Sequence, residues 1–265
     1  MAKISSYSPG SFCWAELAST DTVAAKHFYT SIFGWTFTDL PIPGGVYTIF
    51  QVDGNDAAAL CPTQPGMPAH WNAYFSVANA DETAAKAAAL GGKVIAPPFD
   101  VMESGRMAVI QDPQGAMFSL WQANRQIGAT HGGPLSQVSW PELTTPDAVG
   151  AAAFYQGLFG WKTKPDSGLD KAEYIEWVNG KTSMGGLMPM RGPMRGQMWQ
   201  GVPPHWMLYV TVANCDERAA KAKELGGAMC MPPTDIPHVG RFAVVNDPQG
   251  AVFSLIQMKA AVAAN

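Results

Sequence analysis

The sequence predicts an α+β protein built from one unit duplicated in tandem, each unit a set of strands flanked by two helices. Three observations predict it. The stretch GRMAVIQDPQGAMFSL (105–120) agrees with GRFAVVNDPQGAVFSL (240–255) at 12 of 16 positions. WAELASTDTVAAKHFYTSIFGW (14–35) aligns with WPELTTPDAVGAAAFYQGLFGW (140–161) at an offset of 126 residues. HWNAYFSVANADETAAKAAALGG (70–92) aligns with HWMLYVTVANCDERAAKAKELGG (205–227) at an offset of 135 residues. The two offsets differ by nine residues, so the second copy carries an insertion between Trp161 and His205. The predicted domains are 1–127 and 128–265, joined by the Gly-rich stretch ANRQIGATHGGPLS (123–136).

Each copy justifies its elements in the same order. An alternating strand, FCWAEL or VSWPEL, comes first. Asp21 or Asp147 then caps a helix, because its side-chain oxygen satisfies an orphan N–H of the first turn. Apolar residues recur at helical spacing in that helix, as at Val23, Phe28, Ile32 and Phe33. Gly34 or Gly160 stops it, since glycine tolerates the left-handed conformation that follows a helix. Short strands follow (TFTD, VYTIFQVD, AAALC), then WNAYFSV and a second helix over DETAAKAAALGG, ended by Gly-Gly. The copy closes on a hairpin. Asp-Pro-Gln-Gly suits a type I turn, with Asp first, Pro fixing φ at the second position and Gly last. The pattern is strand–helix–strands twice per copy, hence four βαβββ modules.

Composition bounds the partners. At 265 residues the chain accommodates two domains of about 130 residues each. With 47% hydrophobic and 14% charged residues it is globular, not disordered. The net charge is −4 and no Lys/Arg run offers a nucleic-acid footprint. The start, MAKISSYSPGSF, lacks the apolar core of a secretory leader, and no apolar run reaches membrane-span length. A cytoplasmic protein with neither nucleic-acid nor membrane partners is expected, as a pseudo-twofold monomer or a homodimer. Cys13, Cys61, Cys215 and Cys230 form no CxxC pair and are expected as free thiols.

The opening strand with its Asp and FYTSIFGW, the SVANADE…LGG unit and the DPQGAMFSL hairpin, each present twice, resemble the vicinal oxygen chelate superfamily. That group holds glyoxalase I, extradiol dioxygenases and the bleomycin and fosfomycin resistance proteins; the chain is most similar to its two-domain bacterial glyoxalase-like type, often labelled a hydroxylase. The resemblance implies sheets curled around a cleft, with metal ligands on the first and last strand of each module. The implied ligand positions fall on Trp14, Asn72 and Ser119 in the first copy and on Trp140, Met207 and Ser254 in the second. The remaining carboxylate belongs in 57–61 or 182–188, and neither stretch contains an acid. Trp and Met offer no donor suited to a hard cation, and a lone Ser or Asn binds one weakly. No cofactor is therefore expected, the alternative being a divalent ion at a shifted site around Glu16 and His70.

Strand alternation gives the lining of the expected clefts. If Trp14 faces the cleft, so does Glu16; Trp140 and Glu142 repeat the pair. His70, Asn72 and Tyr74 share a face, as do His205, Met207 and Tyr209; Met117, Ser119 and Trp121 form a third stripe. Such a lining suits a planar, mostly apolar ligand with a few polar anchors. Glu16 and Glu142 are the candidate acid–base groups, read equally as structural acceptors; His70 and His205 are read as ligand-binding or as structural histidines. Arg106 and Arg241 serve either as ion-paired strand residues or as anchors for an anion. The Met-rich stretch LMPMRGPMRGQMWQG (187–201) reads as a lid over the second cleft or as a surface loop. The expected function is a small-molecule-binding protein without the family's metal-ligand set, sequestering a drug or metabolite. The alternative is a lyase, isomerase or dioxygenase-type enzyme using Glu16 or Glu142 with His70 or His205.

Overall fold

The computed structural model of the protein describes residues 3–164, 168–169, 171–191 and 199–259. Two similar domains each carry an eight-stranded mixed sheet. The first contains β1 (Phe12–Ser19), α1 (Thr22–Phe33), β2 (Thr36–Ile42), β3 (Gly45–Val52), β4 (Asn55–Pro62), β5 (His70–Ser76), α2 (Ala80–Ala89), β6 (Lys93–Val101), β7 (Gly105–Gln111) and β8 (Met117–Ala123). The second contains β9 (Val138–Thr145), α3 (Ala148–Phe159), β10 (Lys162–Lys164), β11 (Ile175–Asn179), β12 (Thr182–Pro189), β13 (His205–Thr211), α4 (Cys215–Glu224), β14 (Ala228–Ile236), β15 (Gly240–Asn246) and β16 (Val252–Met258). The strand orders are β2-β3-β4-β1-β5-β8-β7-β6 and β10-β11-β12-β9-β13-β16-β15-β14. In each sheet two modules meet through their first strands: β1 runs antiparallel to β5 and β9 to β13, while β4, β8, β12 and β16 lie parallel to those strands.

The helix signals act as predicted. Asp21 accepts from the N–H groups of Val23 and Ala24, Asp147 accepts from that of Gly150, and Gly34 and Gly160 close their helices with φ of 70° and 75°. Ala25, Phe28, Tyr29, Ile32 and Phe33 form the buried stripe of α1 at i, i+3/i+4, i+7/i+8 spacing. Val23 was expected in that stripe, but it sits in the first turn, off the stripe, and is 79% exposed.

The two domains share one hydrophobic core, because the first helix of each packs on the other domain's sheet as well as its own. The ring of Tyr29 in α1 lies 5.4 Å from Phe253 of β16, and that of Tyr155 in α3 lies 5.6 Å from Phe118 of β8. Phe75 of β5 touches Trp161 at 5.5 Å and Trp206 at 5.0 Å. The Gly-Gly pairs explain how the approach is possible. Their first members, Gly91 and Gly226, take positive φ and stop the helices. Their second members make room: a Cβ on Gly92 would lie 3.1 Å from the ring of Phe154, and one on Gly227 would lie 3.2 Å from that of Phe28.

Reciprocal polar latches cross the same boundary. Asp112 of the first DPQG turn accepts backbone N–H bonds from Gln114, Gly115 and Ala116 through Oδ1, and the Tyr155 hydroxyl through Oδ2 at 3.0 Å. Asp247 of the second turn accepts the Tyr29 hydroxyl at 2.9 Å. The indoles of Trp71 and Trp206 donate in turn to Tyr29 and Tyr155 at 3.0 and 3.1 Å. The duplicated turn is thus a docking point for the opposite half as well as a hairpin device. Trp35 donates to the Ser136 carbonyl and Trp161 to the Gly10 carbonyl, a further matched pair.

No helix among the described residues is long and apolar enough to cross a membrane. All four cysteines are free.

Candidate functional site

The cleft face of each sheet lies opposite the shared core. Strand register assembles the first one as alternation predicts: Trp14 faces Tyr74, which faces Ser119, and Glu16 faces Asn72. In the second, Trp140 faces Tyr209, which faces Ser254, and Glu142 faces Met207. Met117 lies at the rim of its stripe, 37% exposed, whereas Ser119 is buried behind Tyr74.

A carboxylate flanked by two phenols sits in the middle of each cleft. In the first, Tyr74 donates to Glu16 Oε1 at 2.8 Å, Tyr47 donates to Oε2 at 2.9 Å, and the Trp14 indole donates to the Tyr47 hydroxyl at 3.1 Å. In the second, Tyr209 donates to Glu142 Oε1 at 2.9 Å and the Trp140 indole donates to the Tyr174 hydroxyl at 3.0 Å. Tyr174 stands close enough to Glu142 for the carboxylate to add to the rise that burial gives the pKa of its hydroxyl. Desolvation raises the Glu16 carboxyl above its ordinary range, against the pull of the Tyr74 and Tyr47 hydroxyls, the Cys61 thiol and His70. Burial and then the neighbouring carboxylate push Tyr47, Tyr74, Tyr174 and Tyr209 up, so all four remain neutral donors near neutral pH.

Tyr47 and Tyr174 were not among the sequence-predicted site residues, although the signal was present. VYTIFQVDG (46–54) and EYIEWVNG (173–180) are the repeat's third strand, and both carry the tyrosine.

The other predicted residues divide. His70 and His205 each turn Nδ1 onto a proline carbonyl two residues back, Pro68 at 2.8 Å and Pro203 at 2.9 Å. Desolvation lowers the pKa of His205. Arg106 pairs with Asp81 and Asp100, and Arg241 with Asp216 and Asp235, so both arginines serve as ion-paired strand residues. Of the Met-rich stretch, 192–198 lie outside the described residues; Met188 lines the second cleft, and Arg191 donates to the carbonyls of Leu169 and Ala172.

The two clefts differ in what fills them. Trp14, Tyr74 and Trp121 of the first are 4–7% exposed, packed with Cys13, Ala59 and Ala129 and flanked by Tyr7. Ala129 belongs to the linker, which runs back over the cleft, its N–H donating to the Cys13 carbonyl at 2.8 Å. Glu16 stays half-buried. The second cleft contains a cavity of about 1120 Å³ walled by Trp140, Tyr174, Tyr209, Phe242 and Ile256, with the buried Glu142 in its lining. Gly186 leaves space for that wall: a Cβ there would lie 2.0 Å from Tyr174 Oη and 3.0 Å from Trp140 Nε1. Gly186→Ala should therefore swing Tyr174 off Glu142 and change the tryptophan emission. Stability should fall by about 1–3 kcal/mol, since the buried Glu142 loses the Tyr174 hydroxyl beside it and the Trp140 indole loses its acceptor. Unaltered emission and an unmoved Tyr174 in the variant's structure would contradict this.

At the positions the resemblance implies for metal ligands stand Trp14, Asn72 and Ser119, and Trp140, Met207 and Ser254, with Ala57, Ala59 and Cys61 along β4. Among the described residues no three His, Cys, Asp or Glu side chains are grouped to hold a metal ion. These residues do not fit the ion.

Comparison with known proteins agrees with the architecture. Residues 12–120 match the Glyoxalase/Bleomycin resistance protein/Dioxygenase superfamily and residues 142–256 match a glyoxalase-like domain. The chain belongs to the glyoxalase/bleomycin resistance protein/dioxygenase superfamily. Within it, the chain is 42% identical over 263 residues to a protein of Mycobacterium tuberculosis (strain CDC 1551 / Oshkosh) named "Putative glyoxylase CFP32", covering 97% of this chain and 98% of that one. It is 37% identical over 270 residues to the anthracycline biosynthesis protein DnrV of Streptomyces peucetius, covering 96% and 95%. The Mn(II)-bound glyoxalase from Novosphingobium aromaticivorans shares the superfamily fold, with a TM-score of 0.63 at 15% identity over 95% of this chain and 83% of that one.

Proposed function

We propose that this member of the superfamily binds a planar, partly polar small molecule in its second cleft without a metal ion. The cavity of about 1120 Å³ carries this reading: its wall is aromatic and apolar, and its buried carboxylate is flanked by two phenols. A fused-ring ligand stacks on Trp140, and a ligand hydroxyl donates to Glu142. The name of the 37%-identical relative, an anthracycline biosynthesis protein, supports hydroxylated fused-ring aromatics as the class to try first.

The alternative is acid–base catalysis by Glu142 on a carbon acid next to a ligand carbonyl. The placement of a carboxylate among neutral phenols in an apolar cavity favours it over the other enzyme readings.

The hydroxylated anthraquinone alizarin is a suitable probe, titrated by quenching of tryptophan emission. Chelator-treated and dialysed protein should bind it as tightly as protein as purified. Trp140→Ala should weaken it beyond the loss of contact area, by a stacking contribution of about 0.5–1.5 kcal/mol. Near-stoichiometric transition metal by elemental analysis, with binding lost on its removal, would overturn the metal-independent reading.

A further inference from the structure

Resting on that reading, we propose that the first cleft is a masked second site for the same ligand class, closed by Tyr7 and Trp121 at positions where the second half has Gly133 and Ile256. The anchor recurs in both halves: the Trp14–Tyr47 and Tyr74–Glu16 bonds are repeated by Trp140–Tyr174 and Tyr209–Glu142, and Tyr174 stands beside Glu142 as Tyr47 does beside Glu16. What differs is the filling.

The correspondence of the two positions is fixed independently. Trp161 donates to Gly10 and Trp35 to Ser136, so the 126-residue offset seen from Trp14 to Trp140 persists through the segment before each opening strand, and Tyr7 falls on Gly133. Trp121 pairs with Ser76 and Ile256 with Thr211 in equivalent register, at the 135-residue offset of the hairpin.

Both aromatic residues are held in place by the chain. The Tyr7 hydroxyl donates to the Ala129 carbonyl at 2.8 Å and the Trp121 indole to the Gln126 carbonyl at 2.8 Å. The Trp121 ring meets Tyr74 edge-on at 6.4 Å. Together they occupy the wall at which, in the second half, Pro134, next to Gly133, and Ile256 line the cavity. Glycine supplies no side chain and isoleucine is smaller than tryptophan, so space appears there without any change in the anchor.

The test moves the plugs. In the parent, alizarin should bind at one site per chain. Ile256→Trp should weaken that site at least about tenfold, since far more than one methylene is added to an apolar pocket. Ile256→Phe, a smaller intrusion, should give an intermediate loss. Tyr7→Gly with Trp121→Ile should raise the stoichiometry to two per chain by calorimetric titration, and adding Glu16→Ala should bring it back to one. Far-UV circular dichroism and the unfolding midpoint report whether each variant is folded. If the parent binds at a site that Trp140→Ala weakens, while Ile256→Trp and Ile256→Phe leave affinity unchanged or the opened variant still binds one ligand, the masking inference fails alone. If neither the parent nor any folded variant binds, it fails together with the binding reading.

Discussion

Asp112→Ala should destabilise the protein by about 2–5 kcal/mol. The substitution orphans the buried Ala116 N–H and the buried Tyr155 hydroxyl, at about 1–3 kcal/mol for each unsatisfied group. Asp247→Ala should behave alike, through Ala251 and Tyr29. Tyr155→Phe should cost less, about 1.5–3 kcal/mol, the range for a hydrogen bond to a charged group. Urea unfolding measures each. Desolvation raises the carboxyl pKa of Asp112 and Asp247, against the pull of their turn N–H groups and the tyrosine hydroxyls. A raised carboxyl pKa contributes stability that is fully present below the unfolded value of about 3.9 and is lost as pH rises through the folded value. The parent should therefore lose ground to Asp112→Asn as pH rises across that window. Asp39, lowered first by its bond from Lys26 and then by that from Thr48, works in the opposite direction, so the difference between parent and variant is the quantity to follow. A pH-independent difference would place the charge elsewhere.

Glu142→Ala should weaken ligand binding by about 1.5–3 kcal/mol, the worth of a charge-assisted hydrogen bond from a ligand donor. Tyr209→Phe should cost less, because it removes one support of the carboxylate and leaves the acceptor in place. The variants are compared by alizarin titration. Equal affinity in Glu142→Ala and the parent would make the glutamate a structural acceptor for Tyr174 and Tyr209 and nothing more.

Most of the fold was legible because duplication printed it twice. Caps at Asp21 and Asp147, stops at Gly34 and Gly160 and alternation in β1, β5, β9 and β13 are local signals, and local signals survive into the structure. The face shared by Trp14, Glu16 and Tyr74 followed from a period of two. What alternation could not reach was anything set across the domain boundary. Asp112 looked complete as a turn residue; nothing nearby in sequence points to Tyr155. Gly92 and Gly227 looked like helix stops, and their second role depends on phenylalanines from the other half. The insertion after Trp161 marks the halves as different in sequence, yet the filling of the first cleft comes from Tyr7 and the linker. Tyr47 and Tyr174 sit in the least similar part of the repeat, where the shared tyrosine is surrounded by changed residues.

The interlocked halves have a consequence for covalent continuity. Pro134 and Leu135 are exposed in the segment of chain that joins the halves, whereas the aromatic contacts and the two Asp–Tyr latches are buried. A protease that cuts there severs the polypeptide without separating its parts. The nicked molecule should elute as one particle and melt in one calorimetric transition, each fragment acting as the other's subunit.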